Sequence, residues 1–151
     1  MPGFRFKLER VRAVRERTEQ LAKQELAEAI SLRSDTEAEL REAEANLERA
    51  HVEHRAKTSP KPDALEASEL LARQAYLERV EAQRAAQAQE LGQREAEVVT
   101  RDAKLTKAAG EHEMLKRLRE RQREEHNRDA GRREQSALDE VAAASFERSR
   151  T

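Results

Sequence analysis

The sequence predicts an all-α protein: a long antiparallel two-helix coiled-coil hairpin with an overhanging C-terminal helical segment. Three observations predict it. Two helical runs, about 4–57 and 64–129, are separated only by a turn at 58–63 that carries Pro60 and Pro62. Apolar residues recur along both runs at steps of three and four, the period of a heptad seam. The composition is 40% charged and 3% aromatic, which is too polar for a globular core but sufficient for a narrow apolar strip.

The turn justifies the reversal. In Ser59-Pro60-Lys61-Pro62-Asp63, each proline lacks a backbone donor and bars the α conformation in the residue before it, so the first helix must end. Asp63 offers a side-chain cap to the second helix, and Glu66 stands where its capping-box partner belongs. A hairpin centred there sets residue i opposite about 121 − i, with Leu40 facing Glu81 and Arg84, and Leu8 near Glu113 and Met114.

Along the first helix the expected seam is Leu8, Val11, Val14, Thr18, Ala22, Leu26, Ala29, Arg33, Thr36, Leu40, Ala43, Leu47 and Ala50. Its steps are all fours from Val14 to Leu26, a stutter that locally unwinds a left-handed supercoil. Along the second helix Leu70, Leu77, Arg84, Leu91, Val98, Leu105 and His112 repeat every seven residues. The companion column expected beside it is Gln74, Glu81, Ala88, Glu95, Asp102 and Ala109. So polar a column predicts a weak, wet seam that a partner would stabilise. Gly110 and Gly131 are the expected bends, and Leu138, Val141 and Phe146 mark a third helical segment at about 132–148, continuous or hinged. The second helix outruns the first, so everything after about Arg117 overhangs.

Charge sorts along the chain although 30 basic residues nearly balance 31 acidic ones. Basic residues dominate 5–17 and 116–133, while 35–53 is acidic. A hairpin brings the two basic stretches to one end.

Several chemistries are disfavoured. The chain has no cysteine, so thiolate catalysis, disulfides and Cys-based zinc sites are out. His51 and His54 share a helical face near Glu53, but no further ligand completes a zinc set, and solvated helix residues is the better reading. His112 reads as a half-exposed seam residue. Asp139 and Glu140 are adjacent and diverge on a helix rather than sharing a proton. With no phosphate loop or nucleophile motif, the expectation is a non-enzyme with no metal or cofactor. The basic run Lys116–Arg123 is interrupted by Glu120, the pI is near 6.5, and no aromatic platform for bases exists, so nucleic acid is not an expected partner. The same stretch has too small an apolar face for a membrane surface. No run is long and apolar enough to span a bilayer, and the N-terminus lacks a signal-type segment. A soluble, cytoplasmic protein is expected.

The two ends carry a resemblance. The opening Phe4-Arg5-Phe6-Lys7-Leu8-Glu9-Arg10-Val11, continuing through Arg15-Glu16 to Glu25-Leu26-Ala27, and the closing Arg132-Arg133-Glu134-Gln135-Ser136-Ala137-Leu138-Asp139-Glu140-Val141-Ala142 resemble the FliJ family. That family is the coiled-coil, stalk-like component of the bacterial flagellar type III export apparatus. The resemblance implies a rod that binds the hexameric export ATPase, couples it to the membrane export gate and is linked to export chaperones. It also implies a cytoplasmic location, peripheral to the inner face of the cell membrane. It makes Phe4, Phe6, Leu8, Arg10, Arg117, Arg119 and Arg121 candidates for ATPase contact, and Glu134, Gln135, Leu138, Asp139 and Glu140 candidates for partner recognition. Phe4 and Phe6 have a second reading as a staple closing the open end. Two alternatives stand: the equivalent stalk of a virulence secretion system, which the terminal motifs disfavour, and a homo-oligomeric scaffold in which the prolines only kink a continuous helix.

Overall fold

In the computed structural model, which describes residues 3–56 and 64–150, the chain forms two long helices, α1 (Glu9–Ala56) and α2 (Ala64–Arg150). No strand occurs among the described residues. The Ser59–Asp63 turn, and the cap expected from Asp63 and Glu66, lie outside what is described.

The helices form for local reasons. Both are rich in Ala, Glu, Arg and Leu, the strongest helix formers, and both carry same-face ion pairs four residues apart, such as Arg12–Glu16 and Arg33–Glu37 on α1 and Glu90–Arg94 and Glu97–Arg101 on α2. Gly92, Gly110 and Gly131 do not interrupt α2, and none adopts a positive φ. The segment 132–148 is therefore the last part of α2, with no break at Gly131.

At its start, α1 departs from expectation. It begins at Glu9, not Phe4, and the amide of Glu9 donates to the Phe6 carbonyl at 3.2 Å. Residues 3–6 carry no regular secondary structure and Lys7 and Leu8 form a turn, so that Phe6 is buried and Phe4 lies against His126. A helix would splay the two rings apart.

Contacts divide the chain into a first unit, Met1–Gln20 with Thr106–Thr151, and a second unit, Leu21–Leu105. In the second unit, α1 buries Ala22, Ala29, Thr36, Ala43 and Ala50, one strict seven-residue column. From α2 it buries Leu77 and Val80, with Leu91 and Val98 half-buried. Glu25 bridges Arg101 at 2.9 Å and Lys104 at 2.7 Å, Glu44 meets Arg84 at 3.9 Å, and His51 meets Glu81 at 3.7 Å. In the first unit, Glu9 meets Arg119 at 3.7 Å, Arg15 meets Glu111 at 2.7 Å, and Glu19 meets His112 at 2.5 Å. In the second unit, partners on α2 descend as residues on α1 rise; in the first, they descend from Glu9–Arg119 to Arg15–Glu111, and Glu19 meets the adjacent His112.

Three details of the expected seam are corrected. Residue i meets a partner near about 129 − i, a displacement of about one heptad from the register centred on the prolines: Arg84 meets Glu44, not Leu40, and the α2 residue nearest the start of α1 is Arg119 rather than Glu113. Side-chain fit decides this. The turn-centred register would set Glu19 against Asp102, whereas the observed one gives Glu19 a histidine and Glu25 two cations. The companion column on α2 is also one residue earlier than expected. Gln74, Glu81, Glu95 and Asp102 are exposed, while Val80 and Ala108 are buried and Arg73, Gln87, Arg94, Arg101 and Leu115 are half-buried. The column stays polar at several places: Nε of Arg94 and Oε1 of Gln87 are shielded from water without a hydrogen bond, as is Nε of Arg33 on α1.

The third correction concerns the stutter. N-terminal to Ala22, Glu19 and Arg15 meet α2 and continue the heptad through charged side chains, while Arg12 pairs along α1 with Glu9 and Glu16. Val11 and Val14 are left 43% and 58% exposed.

Candidate partner-binding surface

The first unit gathers part of the basic end. Phe4, Arg5, Phe6, Lys7, Glu9, Arg10 and Arg119 line an open surface depression of about 610 Å³. Phe6 forms its floor, being only 8% exposed. Phe4 lies with its ring centroid 5.8 Å from that of His126, tilted by 49°. Both rings are thus engaged by the chain itself, Phe6 more completely than Phe4.

Among the surrounding charges, Arg12 donates from Nη2 to Glu9 Oε1 at 2.6 Å and from Nη1 to Glu16 Oε2 at 3.3 Å. That Arg12 hydrogen bond, helped by the nearby charge of Arg119, holds the Glu9 carboxyl below its ordinary value. A carboxylate so engaged cannot neutralise the rest of the rim, and Arg5, Lys7 and Arg10 remain exposed around the aromatics. The depression can therefore hold an anionic group beside an apolar one.

Of the residues singled out in the sequence, Phe4, Phe6, Arg10 and Arg119 come together here; Leu8, Arg117 and Arg121 do not line the depression. Helical geometry explains the separation. Residues two apart on a helix lie on opposite sides, so Arg119 faces α1 while Arg117 and Arg121, four apart, share another side. Arg117 is also tied to Glu113 at 3.1 Å. Sequence reasoning missed Arg5, Lys7, Arg12 and His126. The alternation around Phe4 and Phe6 was the available signal for the first two, and nothing local marked His126.

The C-terminal candidates are all exposed along the last part of α2. Gln135 Nε2 donates to Asp139 Oδ1 at 3.0 Å, so these two bracket Leu138, which is 64% exposed, on one face. Glu140 points elsewhere. Val141, 66% exposed, lies one turn from Leu138 and shares its strip, while Phe146, 64% exposed, faces another side of the helix, with the guanidinium of Arg150 5.9 Å from its ring centre. Among the described residues, no cluster of potential ligands could hold a metal ion, and no helix is long and apolar enough to cross a membrane.

Neither the curated proteins nor the solved structures include a match to this chain. The family model described as Flagellar FliJ protein matches residues 4–151. That span takes in the aromatic-basic opening and the closing Glu-Gln and Leu-Asp-Glu pattern, and it runs the full course of both helices. The chain belongs to the FliJ family and is a flagellar export-related protein.

Proposed function

We propose that this protein is a non-catalytic, central-stalk-like factor of flagellar protein export. In this reading α1 and α2 form an antiparallel coiled-coil hairpin. The end bearing Phe4, Arg10 and Arg119 engages the hexameric export ATPase, with Phe6 as the internal support of that end and Leu8, Arg117 and Arg121 on its flanks. The protein couples the ATPase to the membrane export gate, and the exposed segment with Glu134, Gln135, Leu138, Asp139 and Glu140 recognises the gate or the export chaperones. It works in the cytoplasm, held at the inner face of the membrane by the apparatus and by no span of its own.

The observation that carries this reading is the family match over residues 4–151. The physics supports it: the cross-helix partners from Arg15–Glu111 to His51–Glu81 descend on α2 as they rise on α1, as a hairpin requires.

The experiment is addition of the protein to its cognate export ATPase, scored for hydrolysis rate and hexamer formation. Both are expected to rise, and Arg10→Glu with Arg119→Glu is expected to abolish the rise. An ATPase unaffected by excess protein would overturn the stalk reading. Spin labels at Glu44 and Arg84 test the hairpin separately: a short distance within one chain supports it, and a separation of several tens of ångströms excludes it.

A further inference from the structure

The first unit leaves apolar side chains outside its own seam. Val11 and Val14 are 43% and 58% exposed, and Thr18, whose hydroxyl donates to the Val14 carbonyl at 3.0 Å, continues their strip at helical spacing. On α2, Glu111, Met114 and Leu118 follow one another at steps of three and four and share a strip. Met114 is 72% exposed and Leu118 half-buried. The 2.7 Å bridge from Arg15 to Glu111 sets the two strips side by side, because Arg15 lies one turn from Val11 and Glu111 lies on the Met114 strip. The Glu9–Arg119 pair closes the opposite flank. One flank of this unit is therefore apolar, and neither helix covers it.

Its borders are cationic. Arg10 and Arg17 lie outward of the valines on α1 and Arg121 lies outward of Met114 on α2, while Lys107, one heptad before Met114, ends the strip with a further cation. None of the four has an ion-pair partner among the described residues. The acids nearby are engaged: Glu111 by Arg15 and Glu113 by Arg117. An apolar strip with cations along both edges complements a helix whose apolar stripe is flanked by acids, the geometry of heptad pairing with opposite e and g charges.

We propose that the Val11–Val14–Met114–Leu118 flank docks an amphipathic helix with acidic borders, supplied by a partner protein, as a third helix beside α1 and α2. Charge argues against a second copy in this place, since pairing the same face with itself sets cations against cations. The flank shares Arg10 and Arg121 with the ATPase-binding end but rests on the geometry of the first unit, not on the identity of the ATPase.

The test uses the full chain and two labelled synthetic helices of about 21 residues, three heptads with Leu at a and d. One carries Glu at e and g and the other Lys. Like charges at those positions keep each peptide from pairing with itself. The Glu peptide is expected to bind at least about tenfold more tightly than the Lys peptide at roughly 50 mM salt, and more weakly as salt screens the rims. Val14→Glu and Met114→Glu are expected to remove most of that affinity without changing helix content. Should either unfold the chain, Arg17→Ala with Lys107→Ala, which leaves the apolar strip intact, is expected to weaken the Glu peptide alone.

Equal binding of both peptides, or no effect of these variants, overturns the proposal. So does a dimer of the free chain that Val14→Glu dissociates, which assigns the strip to a second copy. Capture by phosphatidylserine vesicles in place of the peptide assigns it to a membrane surface and overturns the proposal as well. Stimulation of the ATPase is read in a separate assay, so peptide binding and the stalk reading stand or fall independently.

Discussion

The two units solve the same packing problem with different chemistry. The second unit buries a column of alanines and one threonine on α1 against Leu77 and Val80 of α2, and its ion pairs lie at the edges. The first unit turns Arg15 and Glu19 toward Glu111 and His112, and leaves its valines outside. Stability in the second unit therefore comes mainly from apolar burial, which salt and pH hardly change. The first unit depends more on charge pairing, which is cheap to break and leaves hydrophobic surface free for another molecule. A region built this way is better suited to being completed by a partner than to standing alone.

The largest effect that sharpens the contrast is truncation of an apolar side chain in each unit. Leu77→Ala, at a position 7% exposed, is expected to cost about 2–3 kcal/mol in denaturant unfolding. Val14→Ala is expected to stay within about 0.5 kcal/mol. A large loss at Val14 would break the comparison and restore the stutter, because it would return Val14 to the seam.

Next come the charges inside the first unit. His112 and Glu19, whose side chains are 16% and 15% exposed, make one of the most shielded polar contacts between the helices. His112→Ala is expected to cost about 1 kcal/mol, since it removes the shielded contact between the imidazole and the Glu19 carboxylate. A matched truncation at the exposed His51–Glu81 pair of the second unit is expected to cost less. Equal losses, measured by the same denaturant titration, would remove the distinction.

Helical glycines give a smaller gain in both units. A Cβ at Gly92, Gly110 or Gly131 would meet no atom within 4 Å, so each Gly→Ala variant is expected to gain up to about 1 kcal/mol, seen as a higher melting temperature. A loss at Gly110 or Gly131 would mean that the position needs to bend.

The smallest effect is the acid limb. Hydrogen bonds and charges from Arg12 hold the Glu9 carboxyl below its ordinary value of 4.5, and those from Lys104, then Arg101, do the same for Glu25. Folded-state values lower than unfolded ones mean that each group's stabilisation is present above about pH 4.5 and lost as pH falls through the folded value. Glu9→Gln and Glu25→Gln are each expected to flatten the decline of melting temperature below pH 4.5. An unchanged acid limb in both variants would show that these pairs do not contribute.

How legible the molecule was depends on the residue. The column Ala22 to Ala50 and the column Leu70 to His112 were readable because repeats of seven on a helix specify a face without reference to anything else. Arg73, Val80 and Ala108 were not, because a column three residues on and a column four residues on are equally helical, and only the facing helix chooses. The same ambiguity placed Val11 and Val14 in the seam. Their apolarity argued for burial, while the ion pairs of Arg15 and Glu19 with α2 held the helix rotated away. The basic end was legible as a charge count, but its geometry was not: the Phe4 and His126 rings that meet there come from parts of the chain more than a hundred positions apart.

By itself, then, the sequence determined two long helices, the strips available on each, the sorting of charge along them and the family to which the ends belong. Those properties follow from local backbone preference and from periodicity, which need no second element. The pairing register, the strip that each unit buries and the strip that it leaves for a partner were decided only in the tertiary structure. A strip becomes a seam or a surface according to what lies opposite, and that choice is made between helices rather than within one.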